Sequence, residues 1–139
     1  MRASFARQTV MTTIGARLAR VAPGEVHIEL GFREDLCQQH GFLHAGIVTA
    51  IADSACGYAA LSLMPADAAV LTVEFKVNLL APARGERLIA RGRVTRAGRT
   101  LTVATADVVA VTGDGERPVA VMLATLMALF ERPDVPRGM

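Results

Sequence analysis

Polar and apolar residues alternate near the start of the chain, give way to a long apolar run in its middle, and alternate again beyond it. The first stretch, Met1 to Gln8, reads as a short helix. Met11 to Leu30 reads as two strands around the turn Ala22-Pro23-Gly24, with Val26, Ile28 and Leu30 alternating with His27 and Glu29. That period of two is the mark of a half-buried strand. Gly31 to Leu43 has no periodicity and reads as loop.

Ala45 to Leu63 is built almost wholly of Ala, Ile, Val, Leu and small residues, and it stops before Pro65. That length predicts a helix, and apolar character all round places such a helix in a core or a membrane. A membrane span needs roughly 20 apolar residues. Asp53 near the centre would cost roughly 2.5–3.5 kcal/mol on insertion. The reading is a buried core helix.

Everything after Pro65 reads as sheet. In Thr72 to Leu80, Val73, Phe75, Val77 and Leu79 are expected on one face and Thr72, Glu74, Lys76 and Asn78 on the other. Pro82 and Gly85 mark a turn. Leu88 to Thr95 and Thr100 to Val111 are strands joined through Arg96-Ala97-Gly98-Arg99, where glycine is available for positive φ. Gly113-Asp114-Gly115 turns the chain into Val119 to Phe130, and the tail from Arg132 is expected to fray. The order is strand, strand, long helix, four strands. It predicts an α+β domain over residues 1–139, with an antiparallel sheet curled around one helix.

Composition narrows the function. Hydrophobic residues make up 52% of the 139, an unusual amount of apolar surface to hide, and oligomerisation is one way to hide it. The net charge of +2 gives no general reason to expect nucleic acid. Lys76 is the sole lysine and the other fourteen Lys/Arg positions are arginine, whose planar fork suits phosphate, although a GC-rich genome favours arginine codons and accounts for the bias more simply. Cys37 and Cys56 have no CxxC spacing, and Arg2 and Arg7 interrupt any apolar leader. A reducing, cytoplasmic setting is expected, with no membrane anchor. His27 alternates outward on a strand and His40 sits on a loop without a second ligand at metal spacing, so no metal is expected.

Candidate chemistry centres on Gln38-Gln39-His40-Gly41-Phe42-Leu43-His44-Ala45-Gly46 and on Asp53, the one side chain between Ala45 and Leu63 that is ordinarily charged at neutral pH. A carboxylate on an apolar helix loses hydration, which raises its pKa and suits it to act as base or nucleophile. The residues alone equally allow a structural aspartate paired with an arginine or with a hydroxyl such as that of Ser54. A helix starting near Ala45 leaves N–H groups unpaired at a positive dipole end, where a carbonyl oxygen gaining charge can be held. Gln38 and His44 could add side-chain donors. Asp53 lies eight residues beyond Ala45, roughly 12 Å along the helix. One helix cannot bring both groups to the same carbon, but two antiparallel copies can. A catalytic pair would therefore be shared between subunits.

These residues resemble a known family. His44-Ala45-Gly46 with Asp53 nine positions after the histidine is similar to the HGG-to-acid signature of hotdog-fold thioesterases. The closest resemblance is to the phenylacetate-degradation and 4-hydroxybenzoyl-CoA thioesterases. It continues through Thr72-Val73-Glu74-Phe75-Lys76-Val77-Asn78-Leu79-Leu80-Ala81-Pro82-Ala83-Arg84-Gly85 and Arg96-Ala97-Gly98-Arg99, covering roughly residues 11 to 130. The resemblance implies a hotdog fold and hydrolysis of an acyl-CoA thioester without a separate cofactor. Asp53 would be general base or nucleophile, and the Ala45 amide would polarise the carbonyl where relatives usually have glycine. Gln38 falls on the amide-bearing position, His44 on the brace of the loop, and Gly46 completes the motif. Gly57 stands where some relatives carry a hydroxyl residue one turn past the acid. Arg84, Arg96, Gly98 and Arg99 fall near the hairpin that receives the CoA phosphates. Tyr58 and Leu61, with Val77 and Asn78 of a partner, would line a mostly aliphatic acyl pocket. A homodimer or homotetramer is implied. The alternatives are a hotdog dehydratase or hydratase, which usually needs a catalytic histidine, and a non-catalytic acyl-CoA-binding protein.

Overall fold

A computed structural model describes residues 1–130 of the chain. The tail expected to fray from Arg132 lies outside the described residues. The elements are α1 (Arg2–Ala6), α2 (Thr9–Ile14), β1 (Ala16–Ala22), β2 (Glu25–Gly31), a 3-10 turn (Glu34–Leu36), α3 (Ala45–Leu61), β3 (Ala69–Leu79), β4 (Arg87–Ala97), β5 (Leu101–Thr112) and β6 (Gly115–Leu129). All six strands form one antiparallel sheet in the order β1-β2-β4-β5-β6-β3. The long helix packs against every strand, so the sheet curls around it. The expected α+β architecture is the observed one.

The core lies between α3 and the concave face of the sheet. Val48, Ile51, Ala52, Ala55, Cys56 and Ala59 of the helix are buried against Val26, Ile28, Leu88, Ala90, Ala104, Val108, Met122 and Leu126 of the strands. Small helix residues let the sheet come close, and β4 comes closest at Gly92. A Cβ there would stand 2.3 Å from the Ala55 carbonyl oxygen, so only glycine fits.

Two expectations need correcting. Met11 to Ile14 is not strand but the end of α2. Met11 and Ile14 are spaced three apart and both are buried, which is helical periodicity, and Gly15 ends the helix at φ 77°. The helix α1 covers a side of α3 that the sheet leaves open: Phe5 meets Tyr58 edge-on, with ring centroids 5.6 Å apart.

The second correction concerns β3. Its pairing with β6 slips between Thr72 and Glu74, leaving Val73 as a bulged residue. One extra residue reverses the alternation on one side of it. Opposed residues share a face, and Thr72, Phe75 and Val77 stand opposite the buried Leu126, Ala124 and Met122. Thr72 therefore lies on the concave face with Phe75 and Val77, away from Glu74, Lys76 and Asn78. The apolar face of β3 is also less covered than its pattern suggests, because β3 ends the sheet: Phe75 is 44% exposed and Leu79 53%.

Candidate active site

Asp53 projects from the middle of α3 toward the first half of β3. Partial burial raises its carboxyl pKa above the ordinary aspartate range, and one hydrogen bond pulls the other way: the Thr72 hydroxyl donates to Asp53 Oδ1 at 2.8 Å. The hydroxyl partner is thus on the neighbouring strand. Ser54 turns to Gln8, its Oγ 3.3 Å from Gln8 Oε1. Burial, with the Asp53 charge adding to it, pushes the Cys56 thiol up to about 12, so this cysteine stays protonated in the core.

The loop that starts α3 is fixed by its backbone. The Leu43 N–H donates to Ala83 O at 2.9 Å, the His44 N–H to Leu36 O at 3.0 Å, and Cys37 bridges to Leu43. Gln38 is engaged inside this loop: its N–H donates to Phe42 O at 2.8 Å and its Oε1 accepts from the His40 N–H. His44 is the N-cap of α3, its Nδ1 accepting from the Gly46 N–H at 2.9 Å. In the neutral ring the proton then sits on Nε2. A Cβ on Gly46 would lie 3.1 Å from that Nδ1, so glycine leaves the cap its room.

That cap sorts the amides at the helix start. Gly46 gives its N–H to the His44 ring, while Ile47 and Val48 give theirs to His44 O at 2.9 and 3.2 Å. The Ala45 N–H has no hydrogen-bond partner among the described residues. A single free amide at a positive helix end is suited to an oxyanion. Within one chain it stands roughly 12 Å along the axis from Asp53.

The remaining candidates fall in three places. Val77 is half-buried and Asn78 exposed on β3, where the Lys76 Nζ donates to Asn78 Oδ1 at 2.7 Å. Leu61 is half-buried at the end of α3, but Tyr58 is only 5% exposed, with its hydroxyl 3.2 Å from Ser4 Oγ. Five residues from Asp53, Tyr58 is turned about 140° round the helix, under α1. Along the Asp53 side the helix carries Gly46, Ala50 and Gly57, exposed or half-buried, so the helix is not buried all round within one chain.

The arginines divide sharply. On the outer face of the sheet Arg17 and Arg87 pair with Glu29, Arg91 with Glu116, and Arg20 and Arg93 approach Glu25. Arg84, Arg96 and Arg99 are exposed and have no carboxylate partner among the described residues. Gly98 closes the β4–β5 hairpin, its N–H donating to Leu101 O at 2.9 Å. Beside it a cavity of ≈ 230 Å³ opens between Met64, Ala97, Arg99 and Phe130, beyond the C-terminal end of α3.

Residues 40–116 match the family described as the thioesterase superfamily. The chain belongs to that superfamily. It is 34% identical over 114 residues, 77% of this chain and 75% of the other, to a Halobacterium salinarum protein named putative esterase. A thioesterase family protein from Silicibacter pomeroyi superposes with a TM-score of 0.92 at 59% identity, covering 94% of this chain and 96% of that one. The E. coli PaaI protein from the phenylacetic acid degradation operon shares the fold, with a TM-score of 0.81 at 18% identity over 91% and 88% of the two chains. This superfamily member has the hotdog fold expected from its sequence, a curved six-stranded sheet holding one long helix. No helix among its described residues is long and apolar enough to cross a membrane.

Thr72 was the residue missed. Its signal was present as a hydroxyl in an apolar strand, but strict alternation assigned it to the outer face. Only the Val73 bulge brings it to Asp53.

Proposed function

We propose that the chain is an acyl-CoA thioesterase acting as a homodimer or homotetramer, with each site built from two subunits. The observation that carries this reading is the pairing of a desolvated, hydroxyl-bonded Asp53 with an uncommitted Ala45 amide too far away to serve the same carbon within one chain. Two antiparallel α3 helices would join the Asp53 of one copy to the Ala45 amide of the other. The open side of α3, lined by Gly46, Ala50 and Gly57, is small enough for a second helix to approach.

The chemistry follows from these groups. With Asp53 as base, a water gives its proton to the carboxylate and adds to the thioester carbon, and the new oxyanion accepts from the Ala45 N–H. Collapse breaks the carbon–sulfur bond, and the proton on Asp53 passes to the leaving thiolate, giving a carboxylic acid and free CoA. With Asp53 as nucleophile, its carboxylate adds to the thioester carbon and expels CoA as thiolate, leaving a mixed anhydride. Water then opens the anhydride to the free acid and the Asp53 carboxylate, and the proton it releases goes to the thiolate. Thr72 holds one carboxylate oxygen and leaves the other for either role. Gln38 and His44 hold the loop, and Gly46 gives the His44 ring its place. Val77, Asn78 and Leu61 border the acyl group, while Tyr58 supports the helix from behind.

Arg84, Arg96 and Arg99 are the CoA-phosphate donors in this reading, because their charge is not spent on carboxylates, and Gly98 shapes the hairpin that presents Arg96 and Arg99. No separate cofactor, nucleic acid or membrane is required, and the chemistry suits the cytoplasm. The hydratase alternative is weakened by His44, whose Nδ1 already serves the helix cap. Thiol release from a panel of aryl- and alkyl-acyl-CoAs tests the proposal. The wild type should turn over at least one class and Asp53→Asn should be slower by roughly 10²–10⁴. Equal rates would remove Asp53 from the mechanism.

A further inference from the structure

Phe75 is the one aromatic residue on the strand that faces Asp53, and it stands on the same concave face as Thr72. Its ring is 44% exposed, apolar surface that a single chain leaves uncovered close to a desolvated carboxylate. Pockets for small molecules are lined by such rings. We propose that Phe75 sets the depth of the acyl pocket, closing it roughly 6 Å from Asp53, so that compact acyl groups are hydrolysed and long chains are rejected. This rests on the shared-site reading above and narrows its substrate class.

The direction of the acyl group follows from that of the thiol arm, because the two leave the reacting carbon on opposite sides. Arg99, a phosphate donor in this reading, shares a cavity with Met64 past the C-terminal end of α3. That end of the helix is roughly 12 Å beyond Asp53, a distance the pantetheine arm spans. Gly57, one turn past Asp53 on the way, carries no side chain. A Cβ placed there would find only Leu126 within 4 Å, at 3.7 Å. The arm therefore has a cleared, half-exposed path on which its amides keep contact with water. The acyl group points the other way, toward the start of the helix.

The depth follows from where that direction leads. Asp53 is tied to Thr72, and Leu43 just before the helix is tied to Ala83 beyond the end of β3, so helix and strand run in opposite directions. Moving from Asp53 toward the start of α3 is therefore moving from Thr72 toward Phe75. With Asp53 of one copy meeting Ala45 of the partner subunit, the midpoint between the two sites is level with Thr49, roughly 6 Å from Asp53 along the helix. On β3 the bulged Val73 makes Thr72 to Phe75 about two extended steps, again roughly 6–7 Å. Phe75 of each copy thus stands where two acyl pockets would otherwise run together. A depth of roughly 6 Å takes a chain of about six carbons or a single ring.

Profiles of kcat/KM over acetyl-, butyryl-, hexanoyl-, benzoyl- and decanoyl-CoA test this. A ratio between two substrates of one variant does not depend on how much of that variant is folded and assembled, so it separates a pocket wall from damage to the structure. In the wild type kcat/KM should fall about tenfold or more from hexanoyl to decanoyl. Phe75→Ala should raise the decanoyl-to-butyryl ratio about tenfold or more, and Phe75→Trp should lower the hexanoyl-to-acetyl ratio about fivefold or more. The same shifts should appear in the N-acetylcysteamine esters, because the ring acts on the acyl side. A wild type that takes decanoyl as readily as butyryl, ratios that stay within about twofold in both variants, or shifts confined to the CoA esters overturn the role of Phe75 while leaving acyl-CoA hydrolysis standing. A wild type that releases thiol from none of these esters overturns both.

Discussion

Thr72 gives its hydroxyl to Asp53 at 2.8 Å from a strand position that simple alternation would turn to the opposite face. The helix supplies the carboxylate and a bulge in the neighbouring strand supplies its partner. Within the proposed mechanism Thr72 is a positioning residue, fixing one carboxylate oxygen so that the other meets the water or the thioester. Thr72→Val keeps the shape and removes the donor. Loss of a hydrogen bond to a charged group is worth roughly 1.5–3 kcal/mol, so kcat should fall roughly 10- to 100-fold, with KM little changed. Thr72→Ser should retain most activity, and steady-state thiol release for the three proteins checks both expectations.

The pH dependence has a defined sign. Burial raises the Asp53 pKa, so the rate should climb with pH along an acid limb above the ordinary aspartate range. The Thr72 bond opposes that rise, so in Thr72→Val the limb should move to higher pH still. The stability contribution runs the other way: a raised carboxyl is most favourable to folding while protonated and loses that advantage as pH rises through the folded-state pKa. Asp53→Asn should therefore lose activity without losing stability above the acid limb. Paired pH–rate and thermal-melting profiles check this.

Much of the fold was legible because hydrophobic spacing carried it. The long helix, the turn at Pro23-Gly24 and the four later strands follow from period and punctuation. Three features did not. Met11 and Ile14 form one helical turn too short to separate from a strand pattern by period alone. The Val73 bulge has no sequence mark, since valine is as ordinary in a regular strand as in a bulged one. Tyr58 reads as a pocket residue because it follows Asp53 on the same helix, but α1 covers that side of the helix, and docking of a terminal helix is a tertiary fact that local sequence does not encode. At the site, Asp53 and the start of the helix were legible as chemistry. The sharing of N–H groups that leaves Ala45 uncommitted depends on the rotamer of His44.

Gly92 is a packing requirement with a large expected effect. Gly92→Ala places a methyl 2.3 Å from the Ala55 carbonyl oxygen, and both neighbours are backbone in regular elements. Overpacking of this kind costs roughly 1–3 kcal/mol or more. The variant should unfold at lower urea concentration, read by circular dichroism, whereas Gly113→Ala, with nothing within 4 Å of the new methyl, should cost much less.

The arginine division predicts a kinetic split. Arg96→Ala and Arg99→Ala should each raise KM for an acyl-CoA by up to roughly tenfold, more at low salt, with kcat nearly unchanged. Neither should alter turnover of the same acyl group on N-acetylcysteamine, which lacks the phosphates. Arg17→Ala, whose charge is already matched by Glu29, should leave both substrates unaffected.

A mixing experiment tests the shared site most directly. Ala45 is the first residue of α3, where proline is tolerated, and His44 already has φ −59° and ψ 140°, the backbone favoured before proline. Ala45→Pro therefore deletes one N–H and little else, and both it and Asp53→Asn should be nearly inactive alone. Unfolded together and refolded at equal concentrations, half of the dimers carry one of each chain, and each of these has one complete site, so about a quarter of wild-type activity should return. If the mixture stays as inactive as its components, carboxylate and amide belong to the same chain and the shared site is wrong.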